Sequence, residues 1–510
     1  MEFVLNGTFW ALIPAIVAIV LALCTKEVYS SLFIGIIIGG IFFAIDSASG
    51  FSGFLNHVFS DCLVGSLSDS YNVGILVAQI NKAGGSTAFG NWAKKHIKSK
   101  VGAQVCTIIL GILIFIDDYF NCLTVGSVMK PVTDKYGVSK EKLAYLIDST
   151  AAPICIIAPI SSWAAAVAAF VSGTENGIQL FCKAIPFNFY AIFTIIMMFS
   201  MVFMRFEFGS MSKYEKAISI MEDKNETKPN STAEKGKVID LILPIIVLIV
   251  LCVIGMIYSG GFFTKMIEVD GNLVANESYM NIITAFSNSD ASVGLVLGSF
   301  GTLIITIIFY NIRKILNFSD TLSCVPEGFK AMVPAILILS LAWTLKSMTD
   351  SLGAKDYVAG IVEGSAAGLK MFLPSIIFII ACFLAFATGT SWGTFGILIP
   401  ICIAAFPEGT IRIICISACM AGAVCGDHCS PISDTTIMAS AGAQCNHVNH
   451  VSTQLPYAIS VASISFVSYI VAGLTQNLGA VISAIISWII GLTLLFGFLI
   501  FMKKRVSKKA

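Results

Sequence analysis

Long apolar runs recur from one end of the chain to the other, and they limit its fold more than any other feature. Clean examples cover residues 8–24, 29–45, 241–257 and 293–310. Each run is close to the length of about 20 residues that an α-helix needs to cross a bilayer. Hydrophobic residues make up 56% of the chain and charged residues only 12%, a composition that excludes an ordinary soluble protein. The sequence therefore predicts an all-α polytopic membrane protein.

The remaining composition narrows the range of partners. A net charge of +1 provides no basic surface for nucleic acid, and none is expected as a partner. Most of the cysteines lie inside apolar runs, where a reduced thiol acts as a small hydrophobic side chain. No basic segment or small-residue cleavage site precedes the first run, so residues 8–24 are expected to be a retained span rather than a signal peptide.

One stretch, residues 422–457, combines acids, hydroxyls and helix breakers between two apolar runs. It contains Asp427, Ser430, Ser433, Asp434, Thr435 and Thr436. Gly426 and Pro431 are predicted to interrupt any continuous helix there. Irregular backbone at membrane depth needs protein or a water-filled cavity around it, and a carboxylate there is costly unless it is paired, protonated or bound to a cation. We therefore expect a sodium site at Asp427 and Asp434, with no transition metal.

Similar polar groups occur where other apolar runs are interrupted. They are Asp117, Asp118, Asn121, Asp148, Thr150, Ser161, Ser162, Thr388, Thr390, Ser391 and Trp392. Together with Asp427, Ser430, Ser433, Asp434 and Thr435, they are candidates for binding a cation, a proton or a polar substrate.

Each candidate has a structural alternative. Asp434 could cap a helix start, and Asp117 and Asp118 could lie in water at a helix end. A single Ser or Thr often bonds its own helix or packs between helices.

Histidine and cysteine residues near the acids suggest a metal site, but their spacing does not match a zinc pattern. They are Cys425, His428, Cys429, Cys445, His447 and His450. His428 follows Asp427 and could tune a proton site. His447 and His450 are expected in a loop near a membrane face.

The two halves of the chain resemble each other. Residues 158–162 (APISS) are similar to residues 430–434 (SPISD), and both segments interrupt apolar runs. Loop charges orient the spans at 8–24 and 241–257 oppositely. We therefore predict two inverted-topology repeats with broken helices or re-entrant hairpins, in roughly 11–13 spans.

The predicted domains follow from this division. Residues 1–205 form the first transmembrane repeat, 206–238 a hydrophilic linker, 239–475 the second repeat, and 476–510 a final span with a basic tail. The linker is predicted either to be flexible or to carry a short amphipathic helix over 213–221. The positive-inside rule places the linker and the C-terminus in the cytoplasm of what is expected to be a bacterial cell.

Several motifs carry a family resemblance. Residues 426–458 (GDHCSPISDTTIMASAGAQCNHVNHVSTQLPYA) closely resemble the signature of the NhaC-type sodium/proton antiporter family, within the ion-transporter superfamily. The resemblance extends to IDDYFN (116–121), IDSTAAP (147–153) and GTSWGT (389–394). It implies a helical bundle with inverted repeats and paired hairpins that exchanges cations across the membrane.

The leading functional hypothesis is sodium/proton antiport, with Asp carboxylates alternately binding Na⁺ or H⁺. The alternative is a Na⁺- or H⁺-coupled transporter of an amino acid or small organic acid. An intramembrane aspartyl protease would need two facing Asp residues, and a passive channel is disfavoured by the repeat. No enzymatic activity and no cofactor beyond the transported ions are expected. The expected partners are membrane lipid, Na⁺ and H⁺, and the sequence leaves a small polar organic solute and a homodimer open.

Overall fold

The computed structural model describes the chain in segments, and statements about structure refer to these. They are residues 6–25, 28–47, 50–58, 97–115, 118–159, 161, 163–164, 167, 177–222, 237–269, 272–289, 291–353, 357, 370–391, 394–395, 398–399, 402–403, 406 and 409–508. The chain divides into two compact units. The first comprises Met1–Asp69, Lys183–Lys213 and Pro334–Ala510, and the second comprises Ser70–Cys182 and Tyr214–Val333.

Helices dominate the described segments up to the hydrophilic linker. In chain order they are α1 (Ile13–Thr25), α2 (Val28–Asp46), α3 (Gly50–Leu55), α4 (Lys100–Leu113), α5 (Asp118–Lys135), α6 (Lys140–Asp148), α7 (Ala152–Cys155), α8 (Gly177–Ala184), α9 (Phe189–Met204) and α10 (Met211–Glu222). Short 3₁₀ turns precede α1 at Phe9–Leu12 and α9 at Ile185–Phe187.

The second part of the chain adds longer helices and a small hairpin. The helices are α11 (Ile239–Ser259), α12 (Ile282–Ser287), α13 (Ala291–Ile312), α14 (Phe318–Ser351), α15 (Leu373–Thr388), α16 (Thr410–Cys429), α17 (Asp434–Ala443), α18 (His447–Thr475) and α19 (Ala480–Ser507). Between α11 and α12, β1 (Met266–Val269) pairs antiparallel with β2 (Asn272–Ala275). Two more 3₁₀ turns, Lys370–Phe372 and Gln476–Leu478, precede α15 and α19.

Many helix starts are encoded by a side chain at the N-cap. Ser139, Ser433 and Asn446 each accept a hydrogen bond from the backbone N–H three residues on. Such a bond satisfies one of the N–H groups that a helix start leaves without a partner.

Several helices are long and apolar enough to cross a membrane. Among the described residues these are Tyr29–Asp46, Ile242–Ser259, Thr410–Cys429, His447–Leu478 and Ala480–Ser507. The pair Gln179–Phe187 and Phe189–Met204, bent by 53°, passes the same test as one span. The prediction of an all-helical polytopic membrane protein is confirmed, with the small hairpin as an addition.

In the first unit, glycines bring α15 and α16 into close contact. A Cβ at Gly422 would lie 2.5 Å from the Phe378 carbonyl oxygen, and one at Gly426 would lie 2.2 Å from the Cys382 carbonyl oxygen. The prediction that Gly426 breaks the helix is wrong, because α16 runs through it to Cys429. Gly426 serves close helix packing rather than a turn.

In the second unit, α11 and α13 pack in the same way. A Cβ at Gly255 would lie 2.4 Å from the Gly294 carbonyl oxygen. Near one end of this pair, the buried Asp240 forms an ion pair with Arg313, and the Tyr310 hydroxyl donates to the Asp240 backbone carbonyl at 2.6 Å. The glycine contact and the Asp240 contacts therefore hold α11 and α13 together near both ends of the pair.

Helix α5 continues through Pro131 to Lys135. Val128 and Val132, on either side, are buried, so packing offsets the one helical bond that proline removes. In the linker, α10 covers residues 213–221 and confirms the alternative of a short helix there. Its Glu215 accepts a hydrogen bond from the Ser139 backbone N–H at 2.7 Å.

Candidate functional site

The interruption between α16 and α17 is four residues long, Ser430 to Ser433. Both of these serines have extended backbone, with ψ of 129° and 136°. Pro431 has no N–H, and it disfavours helical backbone at the residue before it. The predicted break at Pro431 is thus present, and it begins directly after the last turn of α16.

Side chains satisfy the carbonyl groups that this break releases from helical bonding. The Gln454 amide donates to the His428 carbonyl at 2.9 Å, and the Thr436 hydroxyl lies 3.2 Å from the Ser430 carbonyl oxygen. His447 Nε2 lies 2.7 Å from the Pro431 carbonyl oxygen. Because buried carbonyls need partners, these contacts fix the irregular segment in one shape.

Asp427 lies in the last turn of α16 and is 1% exposed. Its Oδ2 accepts hydrogen bonds from the Ser391 hydroxyl at 3.0 Å and from the Thr435 hydroxyl at 3.3 Å. Ser391 follows the end of α15, and Thr435 lies in the first turn of α17. The segment after α15, the end of α16 and the start of α17 therefore meet at the Asp427 carboxylate.

Both hydroxyls have a second acceptor within reach. Ser391 Oγ is 3.2 Å from the Ala423 carbonyl oxygen, and Thr435 Oγ1 is 3.1 Å from Ser433 Oγ. A hydroxyl has one proton to donate and lone pairs to accept with. Each hydroxyl can therefore turn its proton from Asp427 to its second acceptor and still donate a hydrogen bond.

The end of α15 adjoins the same break. The Ser430 hydroxyl donates to the Phe386 carbonyl at 2.8 Å. Gly389, which ends α15 with φ of 67°, approaches so closely that a Cβ there would lie 2.4 Å from the Ile432 carbonyl oxygen. The C-terminal ends of α15 and α16 carry partial negative charge, which favours a cation.

Asp434 is the first residue of α17 and is 2% exposed. Its Oδ1 accepts from the Thr435 backbone N–H at 2.8 Å, while Ser433 caps the helix by accepting from Thr436 N–H. Asp434 therefore lies at the helix start, but Ser433 rather than Asp434 is the N-cap. Thr435 links both acids, since its N–H bonds Asp434 and its hydroxyl bonds Asp427.

The other first-unit candidates were expected either to bind an ion or substrate or to make structural hydrogen bonds. Thr388 bonds its own helix through the Leu384 carbonyl at 2.9 Å, which is the structural alternative. Thr390 is buried, and its carbonyl accepts from the Thr394 hydroxyl at 3.1 Å. Trp392 lies outside the described residues, as do Asp117 and Ser162 of the second unit.

In the second unit, Asn121 connects two helix ends. Its amide nitrogen lies 2.7, 2.8 and 3.1 Å from the carbonyl oxygens of Gly111, Ile114 and Thr150, which share its two hydrogens. The Asn121 amide therefore joins the end of α4 to the turn after α6.

The remaining second-unit candidates lie at helix ends and in the segments that follow them. Asp118 and Asp148 are fully buried, so the alternative of a water-exposed helix end is wrong for Asp118. Thr150 bonds back to the Leu146 carbonyl at 2.8 Å, and Ser161 bonds the Cys155 carbonyl at 2.7 Å. Both hydroxyls take part in local bonds of their own segment.

Three neighbouring residues were missed or misplaced by the sequence analysis. His447 and His450 lie in the first turn of α18 rather than in a loop, because Asn446 caps that helix. Gln454 lies on the same helix, two turns beyond His447. Helical spacing of 447, 450 and 454 places them on one face, a signal that could have found them.

His428 is buried beside Asp427, and its Nδ1 lies 3.2 Å from the Tyr190 hydroxyl. Within the described residues, no group of three or more His, Cys, Asp or Glu side chains is arranged to hold a metal ion.

Residues 154–474, which include the whole of the α16–α17 break, match the model of the Na+/H+ antiporter family. This match covers more than half of the chain. The chain belongs to the Na+/H+ antiporter family. The predicted family is therefore confirmed, and the protein is placed among secondary transporters.

Relatives of this antiporter-family chain extend over different lengths. An uncharacterized protein from Haemophilus influenzae is 39% identical over 497 residues, which cover 92% of each chain. A second H. influenzae protein, an uncharacterized Na+/H+ antiporter, is 30% identical over 167 residues, 31% of this chain and 34% of the relative. A malate-2H+/Na+-lactate antiporter from Bacillus subtilis is 31% identical over 172 residues, 32% of this chain and 34% of the relative.

Proposed function

We propose that this chain exchanges Na⁺ for H⁺ and that Asp427 binds the two ions alternately. The observation that carries the proposal is the setting of the Asp427 carboxylate, which is buried and held by two hydroxyls that each have a second acceptor. Carboxylate, hydroxyl and released carbonyl oxygens at helix ends suit an alkali cation.

Competition for one carboxylate accounts for the exchange. A buried carboxylate without a compensating charge is costly, so Asp427 holds either a cation or a proton. When sodium is bound, the hydroxyls of Ser391 and Thr435 donate to Ala423 O and Ser433 Oγ and turn lone pairs toward the ion. When sodium leaves, a proton on Asp427 neutralises the site.

Asp434 is proposed to share the sodium site through Thr435. Its bond from the Thr435 N–H fixes the first turn of α17, which presents the Thr435 hydroxyl to Asp427. Ser430 and Ser433 hold the break to α15 and α17. Asp434 would then contribute both charge and position, whereas Asp427 would carry the ion.

Two inverted repeats, 1–205 and 239–475, remain the proposed plan of the chain. Residues 158, 159 and 161 of the first motif and residues 430–433 of the second are non-helical, which supports paired interruptions. Asp118, Asn121 and Asp148 are proposed as the polar residues of the first repeat. The linker 206–238 and the C-terminus are proposed to be cytoplasmic, in a bacterial cell membrane.

A second candidate is coupled transport of a small organic acid. A relative named as a malate-2H+/Na+-lactate antiporter matches about a third of this chain. The hydroxyls around the break and at Thr390 would suit such a solute. In this case sodium would bind at Asp427 as a coupling ion rather than as the only cargo.

Reconstituted liposomes containing a pH-sensitive dye test both candidates. An imposed sodium gradient should drive proton flux in wild-type protein, and Asp427→Asn should abolish it while the protein stays folded. Asp134→Asn is the matched control, since Asp134 pairs with Lys130 on an exposed surface. Wild-type flux in Asp427→Asn would refute the role of Asp427, and flux that needs added malate or lactate would favour the second candidate.

A further inference from the structure

We propose that His447 is a positioning residue that holds the α16–α17 break in its ion-binding shape through the Pro431 carbonyl. The contact joins His447 Nε2 to the Pro431 oxygen at 2.7 Å. On the other side of the ring, Nδ1 lies 3.0 Å from the Ser440 hydroxyl of α17. The imidazole thus bridges the break and the helix that follows it. The consequence for transport rests on the proposed function, whereas the effect on the break does not.

The Pro431 carbonyl needs this partner. In a continuous helix it would accept from the N–H of Thr435, four residues on. That N–H instead donates to Asp434 Oδ1 at 2.8 Å. His447 therefore supplies the donor that the local backbone has withdrawn, and without it a buried carbonyl would lose a hydrogen bond.

The contact fixes one tautomer. A carbonyl oxygen only accepts, so Nε2 of His447 must carry a proton in every charge state of the ring. Ser440 Oγ lies 2.7 Å from the Thr436 carbonyl oxygen as well as 3.0 Å from Nδ1. It donates to Nδ1 when the ring is neutral and to Thr436 O when the ring is charged.

Titration of the ring therefore leaves the bond to Pro431 in place. Titratable side chains close in sequence to the break and to His447 are Asp427, His428, Cys429, Asp434, Cys445 and His450. The contact with the Pro431 carbonyl is kept whether or not the ring gains a proton, which suits a site that gains and loses protons.

Two side chains of α18 contact carbonyl groups at the break. Gln454, two turns beyond His447, donates to the His428 carbonyl at 2.9 Å, just before the break. His447 bonds Pro431 within it. Thr435, which follows Pro431 closely, supplies one of the two hydroxyls that contact Asp427, and the Ser433 hydroxyl lies 3.1 Å from it. Loss of the His447 contact should therefore lower the fraction of molecules whose break is arranged to bind an ion.

Three substitutions of His447 distinguish the effect of losing the hydrogen bond from the effect of losing the volume of the ring. His447→Leu removes both hydrogen bonds of the ring, whereas His447→Gln can place an amide N–H near the position of Nε2. The shorter His447→Asn reaches only the position of Nδ1. His57→Gln is a matched control, since His57 bonds Ser351 in the same unit, away from the break in sequence.

The readouts are amide hydrogen exchange of residues 430–436 and sodium dependence of proton flux. In His447→Leu we expect exchange of these amides and the sodium KM to rise about tenfold, with a smaller change in kcat. His447→Gln should restore most of both effects, His447→Asn should not, and His57→Gln should match wild type.

The outcomes distinguish this proposal from the proposed function. Faster exchange in His447→Leu with no sodium-driven flux in wild type would support the positioning role and refute the transport proposal. Exchange and KM unchanged from wild type in His447→Leu would overturn the positioning role. If the variant does not fold, ¹⁵N-histidine spectra of wild type decide, since an Nδ1–H neutral tautomer for His447 would overturn it and an Nε2–H tautomer would support it.

Discussion

Ser391 and Asp427 are 36 residues apart in sequence, yet the Ser391 hydroxyl lies 3.0 Å from the Asp427 carboxylate. One residue follows the end of α15, and the other lies in the last turn of α16. The glycines at 422 and 426 make this meeting possible, because they let the two helices approach at backbone distance. The close packing of α15 and α16 therefore determines which side chains meet at the candidate site.

Removing the Ser391 hydroxyl should weaken sodium binding more than it weakens folding. In Ser391→Ala, Asp427 loses a donor and the proposed ion loses a ligand, so we expect the sodium KM to rise about tenfold. Ser465→Ala is the matched control, because the buried Ser465 hydroxyl donates to the Val461 carbonyl of its own helix. Sodium titrations of proton flux measure the effect, and equal KM values for the two variants would contradict it.

A methyl group at Gly426 should destabilise the protein. In Gly426→Ala the new Cβ would meet the Cys382 carbonyl and the Ala385 side chain, 2.2 and 2.8 Å away. Overpacking of this kind costs about 1–3 kcal/mol. Thermal unfolding in detergent should therefore begin at a lower temperature than in wild type.

Gly497→Ala provides the comparison for Gly426→Ala. Gly497 also lies within a helix, α19, but a Cβ there meets nothing within 4 Å. Alanine is favoured over glycine in a helix by about 1 kcal/mol, so this variant should be as stable as wild type or more so. A Gly426→Ala variant that is equally stable would show that α15 and α16 can separate without cost.

The sequence predicted the fold class, the family and the interruption at Pro431 because these depend on local signals. Apolar run length, a proline and a dense motif are visible without tertiary contacts. The role of Gly426 was not predictable, because a glycine that breaks a helix and one that packs against another helix look alike in sequence. The contact of Ser391 with Asp427 and that of His447 with Pro431 likewise depend on helix packing, which no local pattern specifies.

Asn121 illustrates the same limit and leads to a prediction for the second unit. The sequence predicts that Asn121 binds a cation, a proton or a polar substrate, and in the structure its amide nitrogen faces the carbonyls of Gly111, Ile114 and Thr150. Asn121→Asp would place a carboxylate against three carbonyl oxygens, and Asn121→Ala would leave them without that donor. We expect Asp to lower the unfolding temperature more than Ala at neutral pH, since a buried charge costs more than a lost bond.

Unfolding scans of both Asn121 variants measure this order. Asn317→Asp is a control for the change of amide to acid, because Asn317 lies at an exposed turn before α14. If Asn121→Asp were as stable as wild type, the amide nitrogen could not be the group that faces the three carbonyls.

The linker helix α10 should be held to the start of α6 by Glu215. This carboxylate accepts from the buried Ser139 N–H at the start of α6 and pairs with Lys100. Glu215→Ala leaves the Ser139 N–H without that acceptor, at a cost of about 1–3 kcal/mol. Glu215→Gln keeps an acceptor and loses only a partly exposed ion pair, which contributes little. Trypsin should therefore cleave at the exposed Lys213 and Lys216 faster in the alanine variant than in the glutamine variant or wild type, and equal cleavage rates in all three proteins would show that α10 does not depend on Glu215.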